Sequence, residues 1–269
     1  MRVPTLFAPT ILMTLSVLAC DEGQGVLRVA IYGEDYVEVG IPAAATDGWA
    51  ITFDEFLVHV SGVEVVSSDH EDNPLRQDTG LVFDLTIPSD GAGHTLTESL
   101  VFAGPYDQTT YRINPATPTS EAGNVDATTL TFMRDGGHSV FAKGRATRGD
   151  TTVTFAWGFD TNTFYNDCES QARLSDGDRA TVQLTIHADH FFYDDLVSED
   201  PKVSFELIAS ADADANGEVS QAELEALDIR DQVAYQVGTQ TAVTNLWAFI
   251  SAQSRTLGHI DGEGHCDTE

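Results

Sequence analysis

Between residues 26 and 192 the chain repeats one pattern: short runs of alternating apolar and polar residues, separated by Gly- and Asp-rich turn signals. Side chains of a strand point alternately to its two faces, so such runs bury one face and wet the other. The alternation is plainest in Leu81–Ile87, where Leu81, Phe83, Leu85 and Ile87 share a face, and in Val182–Ile186. Further strands are expected near Leu27–Tyr32, Trp49–Val66, Thr95–Phe102, Thr110–Asn114, Thr128–Met133, Val140–Thr147 and Thr152–Phe159. Turn signals stand at Ser89-Asp90-Gly91, Asp135-Gly136-Gly137, Arg148-Gly149-Asp150 and Asp176-Gly177-Asp178, and the last three have hairpin character. About nine short strands in roughly 165 residues predict a mainly β fold, an antiparallel β-sandwich in preference to a barrel.

Beyond Phe192 the alternation stops and helical spacing replaces it. Val243, Leu246, Trp247 and Ile250 fall on one face of a helix expected over 241–255, which should pack on the β layer or on its helical neighbours. Upstream lies Asp212–Glu223, whose residue types and spacing demand one chemistry. With Asp212 as position 1, oxygen-bearing side chains occupy positions 1, 3 and 5 (Asp212, Asp214, Asn216), and Gly217 permits the sharp turn at position 6. The Glu218 carbonyl, Ser220 and both oxygens of Glu223 complete six or seven hard donors, a set suited to Ca2+. Ser220 and Glu223 are also spaced as a capping box for a following helix.

Over this whole loop, including the aliphatic Val219 at position 8, the sequence resembles the EF-hand family. The resemblance implies an entering and an exiting helix, the former carrying Leu207, Ile208 and Ala211, the latter Leu224 and Leu227. It also implies that Val219 pairs with a second loop. No second loop of this form occurs in the sequence, so the lone hand is expected to pair with something else or to act as a structural clip.

The chain begins Met1-Arg2, followed by an apolar stretch, Leu6–Leu18, that is too short to span a bilayer. The stretch ends Val17-Leu18-Ala19-Cys20, which resembles the lipobox of bacterial lipoproteins. That resemblance implies a signal peptide over 1–19, lipidation of Cys20, a tether over 20–25 and a membrane-anchored protein of the bacterial cell envelope, periplasmic or surface-exposed. An exported chain meets an oxidising compartment, and the two other cysteines, Cys168 and Cys266, are expected to form a disulfide that ties the helical segment 193–269 back to the β block. A thiolate metal ligand is the alternative.

Charge limits the partners. With 43 acidic against 13 basic residues the formal net charge is −30, which repels nucleic acid and anionic lipid heads and gathers cations diffusely. Lys143 and Lys202 are the only lysines. An acidic, lysine-poor surface is also what saline surroundings favour. It therefore argues for an environment before it argues for a function.

Two histidine-rich runs suggest a second metal site: His187-Ala188-Asp189-His190, and His259-Ile260-Asp261-Gly262-Glu263-Gly264-His265 beside Cys266. Imidazole suits copper and zinc, so His187, His190, His259 and His265 are candidate ligands. In a continuous strand His187 and Asp189 share a face and His190 points away, and the disulfide places the second run near Cys168 without placing it near His187. The run Trp49–Phe53 leading into Phe56–Val63 resembles the MbnP-type periplasmic copper-associated proteins, which implies a sandwich and a copper role but transfers no ligand residue. No zinc-protease, serine-hydrolase or phosphate-loop signature is present, and carboxylate pairs such as Asp194-Asp195 and Glu199-Asp200 read as solvated surface. The sequence thus points to a calcium-binding, non-enzymatic envelope protein. A copper- or zinc-binding protein is the alternative, and an interaction module for another envelope protein, or a hydrolase, comes third.

Overall fold

The computed structural model describes residues 23–269; the expected leader 1–19 and Cys20 lie outside the described residues. The protein is mainly β. One four-stranded sheet runs in the order β13 (Gly258–Ile260), β11 (Arg179–Ile186), β1 (Gln24–Tyr32), β5 (His94–Phe102). A second sheet follows the path β12 (Glu218–Val219), β9 (Thr151–Phe159), β8 (Val140–Arg148), β2 (Ala50–Val66), β6 (Gly104–Ile113), β10 (Thr163–Leu174), β14 (Asp267–Thr268). The short strands β3 (Leu75–Gln77) and β4 (Leu81–Asp84) pair with β2, and β7 (Glu121–Ala122) pairs with β4. Both sheets face one apolar cluster, to which Leu27, Val29, Ile31, Val182 and Leu184 contribute from the first and Phe56, Val58, Phe155 and Trp157 from the second.

Pairing is antiparallel in most places but not throughout. β1 runs parallel to β11 over seven residues, from Val26↔Arg179 to Tyr32↔Thr185. The Asp176-Gly177-Asp178 turn, expected as a hairpin, instead carries the chain from β10 in one sheet to β11 in the other. The Arg148-Gly149-Asp150 turn does close a hairpin, between β8 and β9. The expected strand at Thr128–Met133 is a helix, α2 (Ala127–Gly136): Asp126 caps it by accepting from Thr129 N at 2.8 Å, and Gly137 ends it in the left-handed region at φ 61°. Its β-branched threonines mislead, while Leu130 and Met133, one helical turn apart, are the residues it buries. Strand β10 was not foreseen. Its register slips between Tyr165 and Cys168 and again between Glu169 and Ala172, and such bulges erase the two-residue period by which a strand is read.

The segment after residue 192 departs from two full helices around a loop. The elements flanking it are short, α3 (Glu206–Ala209) a single turn and α4 (Gln221–Ala226) under two, and the longer α5 (Leu246–Gln253), capped by Asn245, starts five residues later than periodicity suggests. Leu246, Phe249 and Ile250 of α5 are buried, and Trp247 stacks on Phe159 of β9 with ring centroids 5.0 Å apart. Strands β12, β13 and β14 insert this same segment into both sheets. Cys168 and Cys266 form the expected disulfide, 98 residues apart, which excludes the thiolate alternative.

Candidate metal centres

The first centre lies where three chain segments meet at one edge of the four-stranded sheet. Parallel pairing sends the C-terminal ends of β1 and β11 the same way, so residues just past Tyr32 and Thr185 become neighbours. Glu34, at the start of a short helix α1 (Glu34–Glu38), thus arrives beside His187, with its Oε1 3.8 Å from the ring Nε2. Glu34 holds φ at 56°, a conformation that costs a non-glycine residue about 1–3 kcal/mol. On the other side β13 pairs with β11, Thr185 opposite His259, and lays the His259 ring 4.3 Å from that of His187. Gly258 is essential here, because a Cβ would sit 2.5 Å from Tyr111 Oη and 2.7 Å from the ring of Tyr165. The tyrosines stack at 4.6 Å beneath the strand, and Tyr111 Oη donates to the His259 carbonyl.

The parity problem within the first histidine run disappears because β11 stops at Ile186 and residues 188–192 wind into a 3-10 turn. His187, Asp189 and His190 therefore converge, and one ligand atom from each lies within 4.8 Å of the others. The same holds for His187, His259 and Glu263. His187 belongs to both groups. The fourth predicted ligand, His265, is exposed, with its ring 5.8 Å from that of His259.

Hydrogen bonding fixes two tautomers. His190 Nδ1 lies 2.9 Å from Thr256 Oγ1, which spends its own hydrogen on the Gln253 carbonyl, so Nδ1 carries the ring hydrogen and Nε2 keeps a free lone pair. His187 Nε2 faces the Gly262 carbonyl at 3.3 Å; a carbonyl only accepts, which leaves the His187 lone pair on Nδ1. His259 Nδ1 is buried with no hydrogen-bond partner among the described residues. Burial, reinforced by neighbouring imidazoles, pushes His190 and His259 down to about 3, so both rings are neutral and able to ligate. Burial pushes the carboxyls of Glu34 and Asp189 up, an effect that the His187 ring opposes in both when it carries a proton. Asp189 Oδ2 also accepts from Tyr193 Oη at 2.9 Å.

The second centre is the Asp212–Glu223 loop. Asp212, Asp214 and Glu223 each bring a carboxylate oxygen within 4.8 Å of the others. The backbone coils to place them: Ala215 and Gly217 take φ 57° and 82°, Asn216 N donates to Asp212 Oδ1 and Asp214 Oδ1, and Gly217 N donates to Asp212 Oδ2. Asn216 Oδ1 accepts from Glu218 N at 2.7 Å, and Ser220 and Glu223 form the expected capping box at the start of α4. Glu223 Oε1 reaches across to Ala213 N, while Oε2 accepts from Ser220 N and Oγ. These hydrogen bonds from Ser220 draw the Glu223 carboxyl below its ordinary range.

What the loop pairs with is the second sheet itself. Glu218 and Val219 form β12, parallel to Thr154 and Phe155 of β9, and Trp157 Nε1 donates to the Val219 carbonyl at 2.9 Å. Val219 is fully buried. The aliphatic position 8 is therefore an anchor into the main core.

Glu34 and Glu263 escaped the sequence reading as ligands. Glu263 stands inside the second histidine run and was legible by composition; Glu34 becomes adjacent only through the parallel pairing of β1 and β11. A third polar group carries hydrolase-like geometry, with Ser120 Oγ 2.8 Å from His59 Nε2 and His59 Nδ1 2.6 Å from the Asn114 carbonyl. Both side chains are 1% exposed, and Ser120 Oγ already accepts from Thr117 N, which makes this a satisfied polar knot in the core. No protein-family model, curated protein or solved structure matches the chain.

Proposed function

We propose that the chain is a calcium-binding protein of the bacterial cell envelope, anchored through lipid on Cys20, with a structural ion held by Asp212, Asp214, Asn216, Glu218, Ser220 and Glu223. In this reading the two sheets are the layers of a sandwich, and the loop belongs with EF-hands by its donor set although its flanking helices span fewer than two turns each. The reading assigns no catalytic residue. It rests above all on one observation: three carboxylates are gathered within 4.8 Å by a loop whose seventh and eighth residues, Glu218 and Val219, are a strand of the main sheet. Three like charges at that separation repel one another, and a divalent cation converts the repulsion into a clamp between α3, β12 and α4.

The test is thermal unfolding in moderate salt, which suppresses diffuse cation binding. With Ca2+ at about a hundred times its dissociation constant the folded state gains roughly 2.7 kcal/mol, a rise of about 5–11 °C for a domain of this size. Mg2+ after chelation should give much less. Glu223→Gln keeps a capping-box side chain but loses a bidentate ligand, so its calcium-dependent rise should shrink towards zero. Equal shifts with Ca2+ and Mg2+, or an undiminished rise in Glu223→Gln, would overturn the assignment.

A further inference from the structure

We propose that His187, His259 and Glu263 form a binding site for one divalent transition ion, Zn2+ or Cu2+, separate from the calcium loop and entered past the exposed Glu263. Two imidazole nitrogens and one carboxylate oxygen within 4.8 Å of one another make a three-ligand set of the kind that leaves a further position open. Nitrogen donors in the majority disfavour Ca2+ and Mg2+. Among the described residues soft Cu+ lacks its usual partners, since Cys168 and Cys266 are spent on each other and Met133 lies in a different apolar cluster.

The site is built, and not merely crowded. His187 is 6% exposed and has its Nε2 turned to the Gly262 carbonyl, a contact that orients the ring for ligation through its other nitrogen. The loop that carries Glu263 is pinned at Asp261, whose carboxylate accepts from Ser170 Oγ, Gln171 N and Gln183 N. His259 is held from below by the Tyr111 hydroxyl on its carbonyl, while its Nδ1 stays buried and unpartnered. A buried polar atom without a partner costs about 1–3 kcal/mol, a cost that coordination through this nitrogen would remove. His190, Asp189 and Glu34 stand beside His187 without belonging to the same triad.

The experiment titrates the untagged full-length chain with Zn2+, and separately with Cu2+, by calorimetry in excess Ca2+ so that the loop is saturated. One equivalent of either ion is expected to bind, with nitrogen hyperfine structure in the Cu2+ electron paramagnetic resonance spectrum. Glu263→Gln, at an exposed position that leaves folding intact, should weaken binding by at least about tenfold, and His259→Ala should abolish it. Glu223→Gln should leave it unchanged. Absence of stoichiometric uptake, or uptake that Glu263→Gln and His259→Ala leave within about twofold, overturns the site. Loss in Asp189→Asn and His190→Ala with retention in Glu263→Gln overturns this ligand set. Because the calcium loop is read by its own Ca2+ shift, failure of one site is distinguishable from failure of the other.

Discussion

Val219→Ala tests whether the acidic loop is an appendage or part of the core. The side chain is fully buried in the main apolar cluster, and its two lost carbons forfeit about 0.8 kcal/mol each in transfer free energy, about 1.6 kcal/mol together. A cavity of roughly 50 Å3 adds about 1.2 kcal/mol at about 24 cal/mol per Å3. The sum is about 3 kcal/mol, which lowers the melting temperature of a domain this large by about 6–12 °C. An isolated calcium hairpin on the surface would transmit almost none of that to global unfolding. Thermal denaturation followed by circular dichroism, in chelator and again in excess Ca2+, measures both quantities. The loss should appear in both conditions, and Ca2+ affinity should fall as well, because the Glu218 carbonyl belongs to the same two-residue strand. A stability change under about 0.5 kcal/mol would refute the claim that β12 docks the loop into the sheet.

Two further outcomes follow from the same structure. Reducing the Cys168–Cys266 bridge releases a loop of 98 residues, so a chain-entropy cost of about 4–5 kcal/mol is expected and unfolding in reductant should occur about 8–20 °C lower; coincident melting curves would show that the bridge is energetically idle. In chelator, stability should fall as pH drops from about 6.5 towards 5. His59, His138, His190 and His259 are all lowered by burial, so the unfolded chain takes up protons there before the native state does, and what they contribute above about 6.5 is lost as pH falls. Glu34 and Asp189, raised by burial, oppose this slope by binding protons in the folded state. Urea midpoints at pH 7.5 and 5.5 check the sign, and a higher midpoint at 5.5 would contradict it.

The sequence alone determined whatever is local in origin. Alternation located most of the strands, because a half-buried strand must alternate. The donor spacing of Asp212–Glu223 specified a coiled acidic loop with a capping box, since those contacts join residues only a few positions apart. The cysteine pair was legible from counting. The strand at Thr128–Met133 and the unseen β10 were misread for local reasons too, one through an Asp126 cap outweighing β-branched composition, the other through bulges that break the period. Tertiary structure decided everything that needs two distant segments to choose a register. No local pattern records that β11 lies parallel to β1 and antiparallel to β13, yet that arrangement sets His187 between Glu34 and His259. Nor does any local pattern record that the partner of Val219 is β9. Side-chain period fixes which face a strand buries, whereas the neighbour it selects depends on the packing of the whole core, and the candidate metal centres are built from those neighbours.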